Sequence, residues 1–318
     1  MTLLSQPVRV HNLTAWFIFA PPTAIQPSRD YAVLEEVITA ETAVLHETGN
    51  VNELLIENKG DVDLFIQAGD IVKGGRQDRT IGADFIVPAK SGKIPLPAYC
   101  VERSRWHRRR DESDRQFSTS KDLLASKKAK LAMRFSKSQA EVWDSIAEEQ
   151  EELLKAVRKE VRDAVSPTSL QLTYESEGVT TAVEDYAAVL DNALPKAGGS
   201  VVGVLWAING VPSHADHYAS PQLFAKLWRK LLRAAATEAI GQQQPDRASG
   251  AATEPPSIDT IREWLESQGS TPPSHEDEER LPPRTRLRNV RGTSLHRFEA
   301  FDTALDAATP LHVAVLAE

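Results

Sequence analysis

An α+β fold, with a β-sandwich or jelly-roll-like β unit beside a packed helical region, is predicted by three features of the 318-residue sequence. Residues 8–106 carry short β-branched and aromatic runs separated by turns rich in Gly and Pro. Near residue 118 the apolar pattern changes to helical stripes, and residues 286–318 return to β texture. These features divide the chain into a β-rich domain over 1–117, a helical or mixed region over 118–241, a flexible insertion over 242–285, and strands over 286–318 that complete the fold. A terminal strand usually docks on an existing sheet, so 8–106 and 286–317 are expected to form one β unit.

Within the β segment, VRVHNLTAWFIFA (8–20) reads as strand up to Pro21-Pro22. ELLIEN (53–58) and DLFIQAG (63–69) flank a KGDV turn, as in a hairpin, and DFIVPA (84–89) and IPLPAYCVE (94–102) flank a second turn at KSGK. Pro88, Pro95 and Pro97 call for edges or bends, because proline donates no ladder hydrogen bond. Ser138 with Glu141 makes a capping box ahead of a helix with Val142, Ile146, Leu153, Leu154, Val157 and Val161 on one stripe. A second helix, about 180–194, carries Val183, Tyr186, Leu190 and Leu194. VVGVLWAI (201–208) has the continuous apolar pattern of a buried strand and ends in an Asn209-Gly210 turn. Ser220-Pro221 opens a helix that buries Phe224, Leu227, Leu231 and Ala235, and Gly241 closes it. Residues 242–285, rich in Gln, Pro, Ser, Thr and acid, read as a mobile insertion or linker with a short amphipathic island at 258–265. That insertion is a place for protein partners.

A formal net charge of −8 with 26% charged residues argues against a surface that coats nucleic acid as a whole, while leaving room for a local basic patch. The single cysteine, Cys100, excludes an internal disulfide and a cysteine-rich zinc site. The apolar run Ala15–Pro22 is too short to span a bilayer and lacks the flanks of a signal peptide, so a cytoplasmic protein with no membrane partner is expected.

Two neighbouring stretches carry the candidate site, GDIVKGGRQDR (69–79) and YCVERSRW (99–106). Gly69, Gly74 and Gly75 permit tight turns and close approach of a ligand. Arg76 and Arg79 offer forked donors suited to phosphate or carboxylate, and Gln77 both gives and accepts hydrogen bonds. The spacing matches neither GxGxxG nor a P-loop, and the competing reading is a β-turn with solvated arginines. Glu102 shares a strand face with Cys100. It is a candidate general base, ligand-binding carboxylate or metal ligand; the alternative is the partner of a buried arginine. Cys100 as a nucleophile would need a neighbouring base, and otherwise reads as core. Arg103, Arg105, Arg108, Arg109, Arg110 and Arg115 around Trp106 form either a phosphate-binding patch or a solvated charged loop. His214, Asp216 and His217 have the look of a metal cluster but no further ligand at metal spacing, so SHADHY (213–218) reads as a polar loop before the Ser220 cap. His46 alone does not supply the histidine pair of a metal-binding β-barrel. No metal is expected, and no cofactor is assigned.

Taken together, YAVLEEV (31–37), the run 52–80, IVPAKSGKIPL (86–96) and CVERSRW (100–106) resemble one family. It is the domain named for its association with ADP-ribosylglycohydrolases and the rhodanese-phosphatase superfamily. Weaker likeness runs through 139–147, 201–211 and 223–240, and the long 242–285 segment departs from a compact version. The family pattern falls here on Gly74, Gly75, Arg76, Gln77, Arg79, Cys100, Val101, Glu102, Arg105 and Trp106. The resemblance implies binding or processing of a phosphorylated ligand such as ADP-ribose, NAD or a nucleotide, in ADP-ribose metabolism, nucleic-acid repair or defence. It carries over no reaction. Two other readings stay open: a non-catalytic interaction or scaffold module, and a nucleic-acid-binding accessory using the 103–115 arginines.

Overall fold

Eight consecutive buried residues, Val201–Ile208, form the strand on which one part of the protein is built. A strand that is apolar on both faces needs neighbours at both edges and cover above and below. In the computed structural model those needs are met by distant pieces of chain. The structure describes residues 3–21, 29–75, 77–102, 117–156, 170–197, 200–243, 254–270, 274–305 and 308–318. It divides into two units, Met1–Ser28 with Thr181–Arg280 and Arg286–Glu318, and Arg29–Thr180 with Leu281–Thr285.

The first unit holds a nine-stranded sheet. From one edge the order is Leu3–Leu4, Leu13–Phe19, Val201–Ile208, Val211–Tyr218, His312–Ala317, Leu295–Asp302, Thr285–Arg291 and His275–Leu281, with Val8–Val10 also paired to Leu13–Phe19. Helix Pro221–Gly241 covers one face, where Trp228 stacks on Trp206 at 5.8 Å and meets Phe17 at 5.5 Å. Helix Ile258–Ser270 covers the other, where Ile261 joins Trp16, Leu205, Ala215, Val313 and Val315. Helix Glu177–Ala197 lies along Pro221–Gly241 through Asp191, which accepts from Trp228 Nε1 at 2.7 Å, and an ion pair between Glu184 and Arg233.

The second unit joins a six-stranded and a three-stranded sheet over one core that includes Leu45, Leu54, Ile56, Leu64, Ile66, Val72, Ile81, Phe85, Val87 and Leu96. The six strands run Phe117–Leu124, Asp70–Gly74, Arg79–Ile81, Lys93–Cys100, Glu53–Asn58 and Ala43–Glu47; the three are Phe85–Val87, Asp63–Ile66 and Tyr31–Val33. Helices Lys127–Leu131, Gln139–Ala156 and Leu170–Tyr174 follow. The protein is therefore α+β, with several sheets and a packed helical region.

Several sequence expectations change here. The single β unit of 8–106 with 286–317 is divided: Val201–Ile208 takes the N-terminal strands on one side and reaches the C-terminal strands through Val211–Tyr218 on the other, while strands from 31 to 100 have their own core. The β segment also runs past the expected 117 boundary, because Phe117–Leu124 pairs with Asp70–Gly74. The expected hairpin at 59–62 and the second turn at 90–93 are both corners between sheets. The 59–62 turn spends its hydrogen bonds on a side chain and on Thr42: Asn58 Nδ2 donates to Val62 O (2.9 Å), Asn58 Oδ1 accepts from Gly60 N (3.0 Å), and Lys59 N donates to Thr42 O (2.8 Å). At the 90–93 turn Lys90, at φ 52°, donates its N–H to Gly60 O at 3.0 Å, so the corners brace each other. Pro95 and Pro97 fall where Lys93–Cys100 is an edge on one side, since its ladder to Arg79–Ile81 begins only at Ala98.

Within 242–285, residues 244–253 and 271–273 lie outside the described residues, but two of the described stretches are regular. The helix extends over Ile258–Ser270, and the acidic run His275–Leu281 is a strand rather than a linker. Charge complementarity holds it: Arg286 bonds Glu278 at 2.9 Å, Arg288 bonds Glu276 at 2.6 Å, and Asn289 donates to Asp277 at 3.0 Å.

The Ser220 cap forms as expected, with Ser220 Oγ accepting from Leu223 N at 3.2 Å ahead of Pro221. Ser220→Ala is expected to lower stability by about 1 kcal/mol in a denaturant titration. An unchanged midpoint would show that this bond contributes nothing to holding the covering helix.

Candidate functional site

The glycine-rich segment becomes two short strands and the turn between them. Asp70–Gly74 runs antiparallel to Arg79–Ile81 with Val72 opposite Arg79, and Arg79 stands opposite Cys100 at the end of Lys93–Cys100. Gly74 and Gly75 lie at φ 127° and 59°, where side chains are rarely tolerated. A Cβ on Gly75 would sit 2.4 Å from Glu47 Oε1 and 2.8 Å from Phe117 Cζ. Asp78 Oδ1 accepts from Gly74 N at 3.2 Å and closes the turn on itself.

Directly opposed residues of an antiparallel ladder share a face. Arg79 and Cys100 use that proximity: Arg79 Nη1 donates to Cys100 Sγ and to Gln77 Oε1, each at 3.0 Å. The Cys100 thiol in turn donates to the same Gln77 oxygen. Arg79 Nη2 lies 3.6 Å from Glu47 Oε2, an ion pair without a close hydrogen bond. Gln77, Arg79, Cys100 and Glu102 are 0%, 2%, 0% and 1% exposed, so at Arg79 the solvated-turn reading gives way to a buried polar cluster. Val101 N donates to Asp78 O at 3.2 Å, which carries the contact one step past Cys100.

A second amide locks the cysteine from the helix side. Gln139 Oε1 accepts from Cys100 N at 2.8 Å, and Gln139 Nε2 donates to Cys100 O at 2.9 Å. Nothing in the local sequence marks Gln139 or Glu47 as part of this site; only tertiary folding brings them to Arg79 and Cys100. Arg79 Nε is buried with no partner among the described residues. A buried donor left unsatisfied costs roughly 1–3 kcal/mol, so a guanidinium held this way has capacity for an acceptor. Arg76 and Arg105 lie outside the described residues, as do Arg103, Trp106, Arg108, Arg109, Arg110 and Arg115.

The His214, Asp216 and His217 group is part of strand Val211–Tyr218, not a polar loop, and alternation separates its members. Asp216 bonds His312 Nε2 at 3.1 Å, with both side chains 2% exposed, and Tyr218 stacks on the His312 ring at 4.5 Å. His217 faces the opposite side. Burial above all, then the charges of His312 and Arg297, push its pKa from 6.5 down to about 4. His46 pairs with Glu57 at 3.3 Å. Among the described residues no three His, Cys, Asp or Glu side chains gather as metal ligands.

These features define an α+β protein with a buried arginine–thiol–amide cluster beside a glycine turn. A model of the ARG and Rhodanese-Phosphatase-superfamily-associated Protein domain matches residues 2–309, and the chain belongs to that family. No curated protein and no solved structure matches it.

Two consequences can be measured. Gly75→Ala is expected to cost about 1–3 kcal/mol, because positive φ and contact with Glu47 and Phe117 oppose a Cβ; a neutral effect would mean that the turn relaxes freely. For His217, the unfolded chain takes up a proton as pH falls through 6.5, while the folded chain resists until about 4. Stability is therefore lost on acidification across that window, by roughly 2–3 kcal/mol. His217→Asn should flatten this part of the stability–pH curve, and parallel curves for the two proteins would refute the assignment.

Proposed function

We propose that the second unit binds a phosphorylated ligand of the ADP-ribose, NAD or nucleotide type at the Gly74–Arg79 turn. In this reading Arg76, Arg79 and Arg105 answer the phosphates. The backbone of Gly74 and Gly75 permits close approach, and Gln77 and Glu102 answer ribose hydroxyls. Where the ligand is processed as well as bound, Glu102 is the general base. The observation that carries the reading is Arg79, a buried guanidinium whose Nε–H has no partner among the described residues. A phosphate oxygen is the acceptor best matched to such a donor. The family's name, which associates it with ADP-ribosylglycohydrolases and a rhodanese-phosphatase superfamily, supports ADP-ribose and phosphate chemistry; a role in ADP-ribose metabolism, nucleic-acid repair or defence is part of the same proposal.

A second reading is favoured by the close fit of Gly75 against Glu47 and Phe117. It makes the cluster a structural ion pair inside a non-catalytic interaction module, with 242–285 contacting partners.

Calorimetric titration with ADP-ribose, ADP and inorganic phosphate, run beside thermal melts, separates the two. Wild-type protein is expected to bind ADP-ribose. Arg76→Ala should weaken that binding by roughly 10- to 100-fold, the loss of one charge-assisted contact, with little change in melting temperature. Arg79→Lys, which keeps the charge but removes the fork, should weaken it to a similar degree. Wild-type protein that binds none of the three, with a collapsed melting temperature for Arg79→Lys, would establish the structural reading.

A further inference from the structure

The register of the nine-stranded sheet lays two rows of side chains across the face covered by helix Ile258–Ser270. One row runs Trp16, Leu205, Ala215, Val315 and Arg297; the next runs Ile18, Gly203, His217, Val313 and Glu299. Gly203 adds no side chain to its row and can accept none, since a Cβ there would sit 2.3 Å from Asp216 O. Ala215, in the adjoining row, adds only a methyl group. A pocket of ≈ 310 Å³ opens over this low ground, within the first unit, with Leu3, Ile18, Leu265 and Val313 as apolar wall and His217 and Arg297 as its polar groups. That volume lies at the small end of ligand sites.

Both polar residues have donors available. Arg297 directs Nε (2.8 Å) and Nη2 (2.7 Å) at a single oxygen of Glu299, which leaves Nη1 without a partner among the described residues. His217 likewise has no hydrogen-bond partner among them. Its ring is neutral at pH 7, so one nitrogen donates and the other accepts.

The geometry points to a binding site for a compact carboxylic acid with an apolar body: Arg297 and the His217 N–H hold the carboxylate, and Ile18, Leu265, Val313 and Val315 take the body. Arg297 Nη1 and the N–H of the neutral imidazole give a carboxylate two donors, one of them charge-assisted. A doubly charged phosphate would bring more charge into an apolar pocket than Arg297, already paired with Glu299, offsets, and a neutral amide would answer the same donors without charge assistance. A cation would meet Arg297. The site is separate from the Gly74–Arg79 turn and independent of the function proposed for it.

Hexanoate, hexanamide and inorganic phosphate titrated into the full chain with ¹⁵N-labelled histidine provide the test, read at the His217 ring signals assigned with His217→Asn. Hexanoate is expected to shift those signals saturably. Hexanamide and phosphate should bind about tenfold more weakly or not at all, and Arg297→Gln should weaken hexanoate by about tenfold or more. Arg297→Lys keeps the charge beside Glu299, serves as the folding control, and should retain part of the affinity. Equal affinity for hexanoate and hexanamide, an unperturbed His217 ring, or unchanged hexanoate binding by Arg297→Gln overturns the assignment.

Discussion

A guanidinium taken out of water must be answered by charge and by acceptors, and in the second unit Arg79 imposes that requirement on three separate pieces of chain, one of which a fourth holds in place. The turn supplies Gln77, the strand Lys93–Cys100 supplies the cysteine sulfur, and Ala43–Glu47 brings the Glu47 carboxylate to 3.6 Å. The helix Gln139–Ala156 pins the backbone of Cys100. The glycines then have a definite purpose. Glu47 can come so near the turn only because Gly75 has no Cβ in its way. Local backbone, sheet register and helix placement all converge on one charge, which is why the cluster is the best place to look for function.

In the first unit the governing device is alternation along a strand. His214 and Asp216 turn to the face sealed by Trp206 and Trp228, where Asp216 finds His312. His217, next in sequence to Asp216, turns to the other face and meets neither. Three residues that look like one cluster in the sequence thus belong to two environments, one closed by aromatic packing and one open at the gap left by Gly203.

The corners at 59–62 and 90–93 show the same dependence on partners far along the chain. A short polar turn between two apolar runs is compatible with a hairpin or with a change of sheet. What decides here is Thr42, whose carbonyl takes the amides of Lys59 and Gly60. The acidic strand His275–Leu281 is a further case. Its composition is that of a solvated linker, and it pairs because Arg286, Arg288 and Asn289 stand across from it.

What the sequence determined by itself was local and periodic. The α+β class, the buried strand Val201–Ile208, the Ser220–Pro221 helix start and the family all follow from patterns a few residues long or from a run of motif residues, and such signals need no distant partner. The strand that ends at Cys100 was legible for the same reason, as was the glycine turn beside Arg79. Tertiary structure alone decided which strands share a sheet, that Glu47 and Gln139 complete the cluster, and that His217 lines the pocket over Gly203 while Asp216 bonds His312 on the other face. Those outcomes rest on hydrogen bonds and ion pairs between residues tens to hundreds of positions apart, and the free energy of such contacts exists only once the chain has brought them together.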